Sequence, residues 1–275
     1  MLRNYWTSYV TARRLRDYRP KSVTTENVRD WFGQFPKRHH AALRAILGAI
    51  QFVGERQMIA EMRQLNERLL ARLEAKGVDP SHIIYVQFHE AGSSSAAVLN
   101  LIRDACRLEN RGCRLLDAND LLGLHKATSE LGRGAIVYVD DFVGTGNQFS
   151  KVRAFSAQQI VGTFSEFLLV HGVCEEGITE LGRHNAVEPV PVRVHGRTER
   201  PLHELCSLLP DDVKDELRNH CLRLSPAFGL GFRRLATMVV YYRNAPNTVP
   251  VLLRGTIGQV PLRGIVPRTT DLDAA

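Results

Sequence analysis

The rhythm of apolar and polar positions changes near residue 80. Before that point it is helical. Thr24 and Thr25 are candidate N-caps, with Glu26 in the first turn of a helix that carries Val28, Trp31 and Phe32. A second helix, rich in alanine and isoleucine, is predicted from about His40 to Phe52. The third pattern is the clearest: Met58, Ile59, Met62, Leu65, Leu69, Leu70 and Leu73 recur at helical spacing, and Gly77 followed by Pro80 supplies the stop. Residues 1–78 therefore read as all-helical. The stripe from Met58 to Leu73 is either core or a subunit interface, and an interface would make the protein a homo-oligomer.

From Ser81 the apolar residues gather into blocks of strand length. Ile83 to Phe88 (IIYVQF), Arg114 to Asp117, Ile136 to Asp140, Glu166 to His171 and Val190 to His195 are the five predicted strands. Helical patterns separate them, with Ala97, Val98, Leu101 and Ile102 in the first and Asn119 to Glu130 in the second, which ends at Gly132 and Gly134. Gln148 to Phe155 and EEGITELGR make the third and fourth. Pro191 marks the last strand as an edge. This alternation predicts an α/β fold: a doubly wound, mostly parallel five-stranded sheet with an N-terminal helical extension and an α+β C-terminal region. The expected regions are 1–78, 79–198 and 199–275, the last a hood or edge region. It carries a helix from about Asp211 to Leu222, an apolar run from Leu235 to Tyr242, and turns around Asn244, Pro246, Asn247 and Pro250.

Composition narrows the class without choosing the activity. The 275 residues are 44% hydrophobic and 24% charged, which is ordinary for a globular protein. No apolar run approaches the ~20 residues of a membrane span, and the first residues show no signal-peptide core, so a cytoplasmic protein with no membrane partner is expected. Cys106, Cys113, Cys174, Cys206 and Cys221 are scattered and odd in number, which reads as buried free thiols. The net charge of +7 is densest at Arg13, Arg14, Arg16, Arg19 and Lys21. It fits a nucleic-acid partner, an anionic small ligand or only a basic surface, and charge alone does not choose among them.

The chemistry concentrates at Ala135 to Gln148. A buried strand ends in Asp140 and Asp141, passes through Gly144, Thr145 and Gly146, and leads into a helix. Backbone N–H groups at a helix start favour an anion. Two carboxylates at the mouth of such a site repel phosphate unless they face hydroxyls or a cation, so the pattern predicts a sugar phosphate with Mg2+ nearby. A second loop of small residues, Ala91, Gly92, Ser93, Ser94 and Ser95, follows the first strand. Ligands of doubly wound sheets bind beyond the carboxyl ends of the strands, so the two loops are expected to converge. His89, Glu90 and His171 are candidates for acceptor or metal contact.

The run Ile136, Val137, Tyr138, Val139, Asp140, Asp141, Phe142, Val143, Gly144, Thr145, Gly146 resembles the phosphoribosyl-pyrophosphate (PRPP) motif of type I phosphoribosyltransferases. That resemblance implies that Asp140 and Asp141 hold the ribose hydroxyls and that residues 144–148 (Gly144, Thr145, Gly146, Asn147, Gln148) hold the 5'-phosphate. It also implies that Ala91 to Ser95 face the pyrophosphate, with Mg2+ bound through PRPP. Gln148 stands where the family usually places threonine or serine, which shifts the phosphate to Asn147 or to backbone amides. The pyrophosphate loop lacks the family's basic residue, leaving Arg103 or Arg133 to supply the charge. A closer similarity is to the phosphoribosyltransferase-like effectors of bacterial conflict systems, retrons and antiphage islands, carried by DDFVGTGNQ and GFRRLATMVVYYRNAPNTVPVLLRG. It implies transfer of phosphoribosyl to a nucleobase, nucleotide or macromolecule within a defence system, with nucleic acid or a defence-system protein as partner.

Two other readings compete. The same fold can serve as an inactive nucleotide-sensing or interaction module. Alternatively, Gly92-Ser93-Ser94-Ser95-Ala96 loosely resembles a nucleophile elbow, and Ser94, Asp140 and His171 follow in the chain order of a serine hydrolase.

Overall fold

The computed structural model describes residues 2–88, 94–183, 187–256 and 262–269. In chain order it contains α1 (Leu2–Arg14), α2 (Thr25–Gly33), α3 (His40–Ala49), β1 (Gln51–Val53), α4 (Glu55–Ala75), β2 (Ile83–Gln87) and α5 (Ser94–Cys106). Then come β3 (Arg114–Asp117), α6 (Leu121–Leu131), β4 (Arg133–Val143), α7 (Asn147–Ser156), β5 (Thr163–Cys174), α8 (Glu175–Arg183) and β6 (Val187–His195). Last are α9 (Asp211–Leu224), β7 (Val239–Tyr241) and α10 (Val251–Arg254). The chain divides into two compact units, Arg56–His195 and, from its two ends, Met1–Glu55 with Gly196–Ala275.

In the unit Arg56–His195, the described strands form a five-stranded parallel sheet in the order β3-β2-β4-β5-β6. Its central strands are continuous apolar runs because helices cover both faces. On one face Asn66 of α4 accepts the Tyr85 hydroxyl at 2.6 Å, and the Arg72 guanidinium lies over the Phe167 ring. On the other, Phe149 of α7 packs edge-on against Phe88 and Tyr138, beside Leu181 of α8. The chain winds outward from β2 to β3, then reverses through β4. That reversal opens a crevice between the carboxyl ends of β2 and β4. β6 is the edge strand expected from Pro191.

Three expectations change here. Met58, Met62, Leu65, Leu69, Leu70 and Leu73 are buried in the chain's own core, so the stripe is not a subunit interface. From Arg56 onward α4 belongs with the sheet, not with the N-terminal helices. β4 also runs on past the acid pair, because Phe142 and Val143 pair with Gly172 and Val173 of β5. The carboxylates thus sit within the ladder and not just beyond it.

The second unit has a single core. Trp31, Phe32, Leu43, Ile46 and Leu47 from α2 and α3 pack with Leu217, Cys221, Val249, Leu252 and Val266 from the far end of the chain. The Trp31 indole N–H donates to the Leu252 carbonyl at 2.8 Å across 221 residues of sequence. The Thr24 hydroxyl caps α2 in a reciprocal pair with Asn27. β1 interrupts the helices of the N-terminal stretch and pairs parallel with β7. The NAPNTVP segment is a core element: Val249 N–H closes a turn on Pro246, and the Thr237 and Thr248 hydroxyls meet at 2.6 Å. The C-terminal stretch therefore shares its interior with the N-terminal helices, in place of three successive regions. All five cysteines are buried free thiols. Among the described residues no helix is long and apolar enough to cross a membrane.

Candidate functional site

The crevice between β2 and β4 is lined by groups whose positions follow from the strand ladder. Asp140 is buried and Asp141 half-buried at the top of β4. The Ser94 hydroxyl, at the first residue of α5, donates to Asp140 Oδ1 at 2.9 Å, and the Asp141 backbone N–H donates to the same oxygen at 2.9 Å. Ser95 has a different task. Its buried hydroxyl accepts the Phe88 N–H at 3.1 Å and donates to the Val139 carbonyl at 2.6 Å, tying the ends of the two strands together.

Beyond Val143 the chain turns through residues 144–146. Gly146 has a φ of +78°, a conformation glycine adopts without strain, and it caps α7 with no side chain in the way. The first turn of α7 therefore opens toward the loop. Gly177 of α8 lies beneath: a Cβ there would stand 2.8 Å from the Gly144 carbonyl and 3.0 Å from Val173 Cγ2. Only a residue without a side chain lets the loop rest this close to α8. Farther down, Arg153 of α7 makes a two-pronged pair with Glu166 of β5 at 2.7 and 3.0 Å, and Glu166 also accepts the Tyr138 hydroxyl at 3.1 Å. This nearly buried network anchors the helix that begins at the loop.

The electrostatics of the pair are unfavourable in isolation. Burial, and then the neighbouring Asp140 carboxylate, push the Asp141 carboxyl well above the usual carboxylate range. The Asp141 carboxyl therefore resists taking on a negative charge beside Asp140. A ligand that donates hydroxyls into them, or brings a cation, relieves that cost.

The sequence-predicted residues separate clearly. Asp140, Asp141, Gly144, Thr145 and Asn147 line the loop region, with Gln148 exposed at the start of α7. The Asn147 N–H reaches the Thr145 hydroxyl only at 3.5 Å. His89, Glu90, Ala91, Gly92 and Ser93 lie outside the described residues. His171 is buried between the positions paired with Asp140 and Phe142, and its Nε2 meets Glu61 Oε2 at 2.7 Å. Burial lowers its pKa while Glu61 pulls the other way. Among the described residues the hydrolase triad does not assemble: Ser94 bonds Asp140 directly, and His171 bonds Glu61.

Neither expected cation source stands at the site. Arg133 opens β4, seven residues or about 23 Å before Asp140. Arg103 is nine residues, about 14 Å, down α5 from Ser94 and pairs with Asp104. Among the described residues no three His, Cys, Asp or Glu side chains gather into a metal cage. Two supporting features escaped the sequence reading. Gly177 had a local signal, a glycine in the interior of a predicted helix. The Arg153–Glu166 pair had none.

A family model, PRTase-CE, matches residues 28–263. No curated protein matches the chain. Among solved structures it is similar to orotate phosphoribosyltransferase from Aeropyrum pernix, at 17% identity over 48% of this chain and 68% of that one, with a TM-score of 0.31. A hypothetical protein from Neisseria gonorrhoeae with bound ppGpp matches at 11% identity over 54% and 85%, with a TM-score of 0.35. Hypoxanthine-guanine phosphoribosyltransferase from Schistosoma mansoni, in complex with IMP, matches at 13% over 50% and 66%, with a TM-score of 0.32.

Proposed function

The chain belongs to the PRTase-CE family, and on that premise we propose that it binds PRPP with Mg2+ and transfers the phosphoribosyl group to an acceptor. The observation that carries this reading is the acid pair itself. The Asp141 carboxyl, held beside buried Asp140, opposes its own ionisation at a cost in stability, and such groups are characteristic of binding and catalytic sites. In this reading the two carboxylates accept the ribose hydroxyls. The backbone N–H groups of residues 144–148 hold the 5'-phosphate at the start of α7. Ser94, whose hydroxyl donates to Asp140, is assigned in this reading to the pyrophosphate side.

Among the described residues no third ligand joins the two carboxylates, which fits a cation held mainly by the substrate's own oxygens. Bound Mg2+ would supply charge neutralisation at the departing pyrophosphate. The bond from ribose carbon 1 to pyrophosphate breaks as a bond from the acceptor forms, through an oxocarbenium-like state. The protein's share is positioning and electrostatics, with no dedicated base required.

The test is titration of the full chain with Mg-PRPP, followed by calorimetry and by pyrophosphate release with nucleobase, nucleotide and RNA acceptors. Wild-type chain is expected to bind, and Asp140→Asn with Asp141→Asn to lose at least roughly a hundredfold in affinity while still folding. Unchanged affinity in that double variant sinks the assignment.

A second reading, a sensor of the same ligand without turnover, is favoured by the distances of Arg103 and Arg133 from the acids. Binding with no pyrophosphate release for any acceptor would select it. An effector role in antiphage defence belongs to the same proposal: phage protection should disappear in the double variant.

A further inference from the structure

Helix α1 inverts the usual distribution of side chains. Its inner face is small and polar, with Ser8, Thr11 and Ala12 buried, and it is pinned by Asn4 to His40 Nδ1 at 2.7 Å, by Arg44 to Asn4 Oδ1 at 2.7 Å, and by Arg14 to the Leu47 carbonyl. The large apolar side chains point outward. Leu2 is 85% exposed, Tyr5 57%, Trp6 66%, Tyr9 43% and Val10 43%. Positions 2, 5, 6, 9 and 10 form one continuous stripe on a helix. Because the inner bonds fix the rotation of α1, the stripe cannot turn inward without breaking them.

Charge indicates what covers it. α1 contains no Asp or Glu, and Arg3 and Arg13 are exposed beside the stripe. The unit that carries it, Met1–Glu55 with Gly196–Ala275, holds 21 Lys and Arg against 12 Asp and Glu, a net +9. A second copy would bring arginine against arginine. Bases have no use for Leu2 and Val10 at the two ends of the stripe, and the Trp6 and Tyr9 rings pack on each other at 5.9 Å and do not open a slot. Three of the five outward residues are Tyr or Trp, whose apolar rings and polar tips suit the boundary between lipid headgroups and acyl chains. An amphipathic helix of this kind lies in the plane of the interface with its apolar face in the headgroup boundary.

We propose that α1 docks the protein on an anionic lipid surface, with Leu2, Tyr5, Trp6, Tyr9 and Val10 entering the headgroup boundary and Arg3 and Arg13 meeting lipid phosphates. This goes beyond the PRPP reading and does not depend on it.

The experiment is co-sedimentation of the full chain with vesicles of equal parts phosphatidylcholine and phosphatidylglycerol. Binding is expected to be roughly tenfold weaker to phosphatidylcholine alone and to fall with added salt. Trp6→Glu should lower it by about tenfold, and Trp6→Phe should retain it. Brominated acyl chains should quench Trp6 and leave the buried Trp31 bright. Failure of wild type to sediment with anionic vesicles, or equal binding by Trp6→Glu, overturns the proposal. A dimer that Trp6→Glu converts to monomer, without vesicle binding, overturns it in favour of a second copy.

Discussion

The two units differ in how they are built from sequence and in what charge they carry. Arg56–His195 is one unbroken stretch in which strands and helices alternate, and it holds 15 basic against 17 acidic residues, a net −2. The other unit is assembled from two stretches 140 residues apart and carries the entire net positive charge. The proposed anion-binding site therefore lies in the slightly acidic unit. On that proposal its attraction for phosphate would come from oriented backbone and a helix start, while the net positive charge lies in the other unit. Net charge alone would have pointed to the other unit.

The largest effect that tests this division is Trp31→Ala. Loss of a fully buried indole, and of its bond to Leu252, should destabilise the split unit by about 3–5 kcal/mol. Calorimetry with and without Mg-PRPP should show the ligand-stabilised transition surviving; loss of both together would mean that the units are not separable. Arg153→Ala is the counterpart in the sheet unit. It strands Glu166 at the base of α7 and should cost about 3 kcal/mol, most of it recovered by adding Glu166→Gln. Denaturant titration of the four proteins measures that coupling.

Gly177→Ala is smaller and more local. The added methyl meets the Gly144 carbonyl, so about 1–3 kcal/mol of strain is expected, along with weaker phosphate binding as the loop lifts. Calorimetric affinity unchanged from wild type would show that α8 does not support the loop.

Asp141→Asn should move stability the other way. The raised carboxyl means that the folded state resists ionisation, so its stabilising contribution is present in acid and lost as pH rises through its folded pKa. At pH 8 the amide should raise Tm by roughly 2–4 °C, as about 1 kcal/mol does in a protein of this size, with the gain shrinking on acidification. PRPP binding should fall at the same time. His171 contributes the smallest effect, with opposite sign. Its pKa is lowered by burial, so stability is full above about pH 6.5 and declines below it as the unfolded chain takes up a proton more readily. His171→Gln should flatten the fall in Tm between pH 7 and pH 5.

The sheet unit was largely readable because its information is local. Ile83 to Phe88 is covered on both faces and so is apolar throughout, and two acids before a Gly-Thr-Gly turn have few structural explanations. Where the reading stopped, the cause was long-range pairing. β1 and β7 are three residues each and exist only because they meet. Nothing near Ser95 shows that its hydroxyl serves two strands while that of Ser94 faces an acid. β4 extends through Phe142 and Val143 because β5 offers Gly172 and Val173, a fact recorded on another strand. The joining of the split unit's two stretches was illegible for the same reason, since the acceptor of the Trp31 indole is Leu252, 221 residues away.

That split architecture sets a timetable for biosynthesis. A ribosome adding about 5–20 residues per second needs roughly 7–28 s to pass from Arg56 to His195. Throughout that interval Trp31, Phe32, Leu43 and Ile46 have emerged without the residues that cover them. The sheet unit can complete its fold during the wait. The N-terminal helices spend those seconds as a substrate for chaperones and proteases, so slow synthesis through the middle of the chain would lower yield by exposing its beginning.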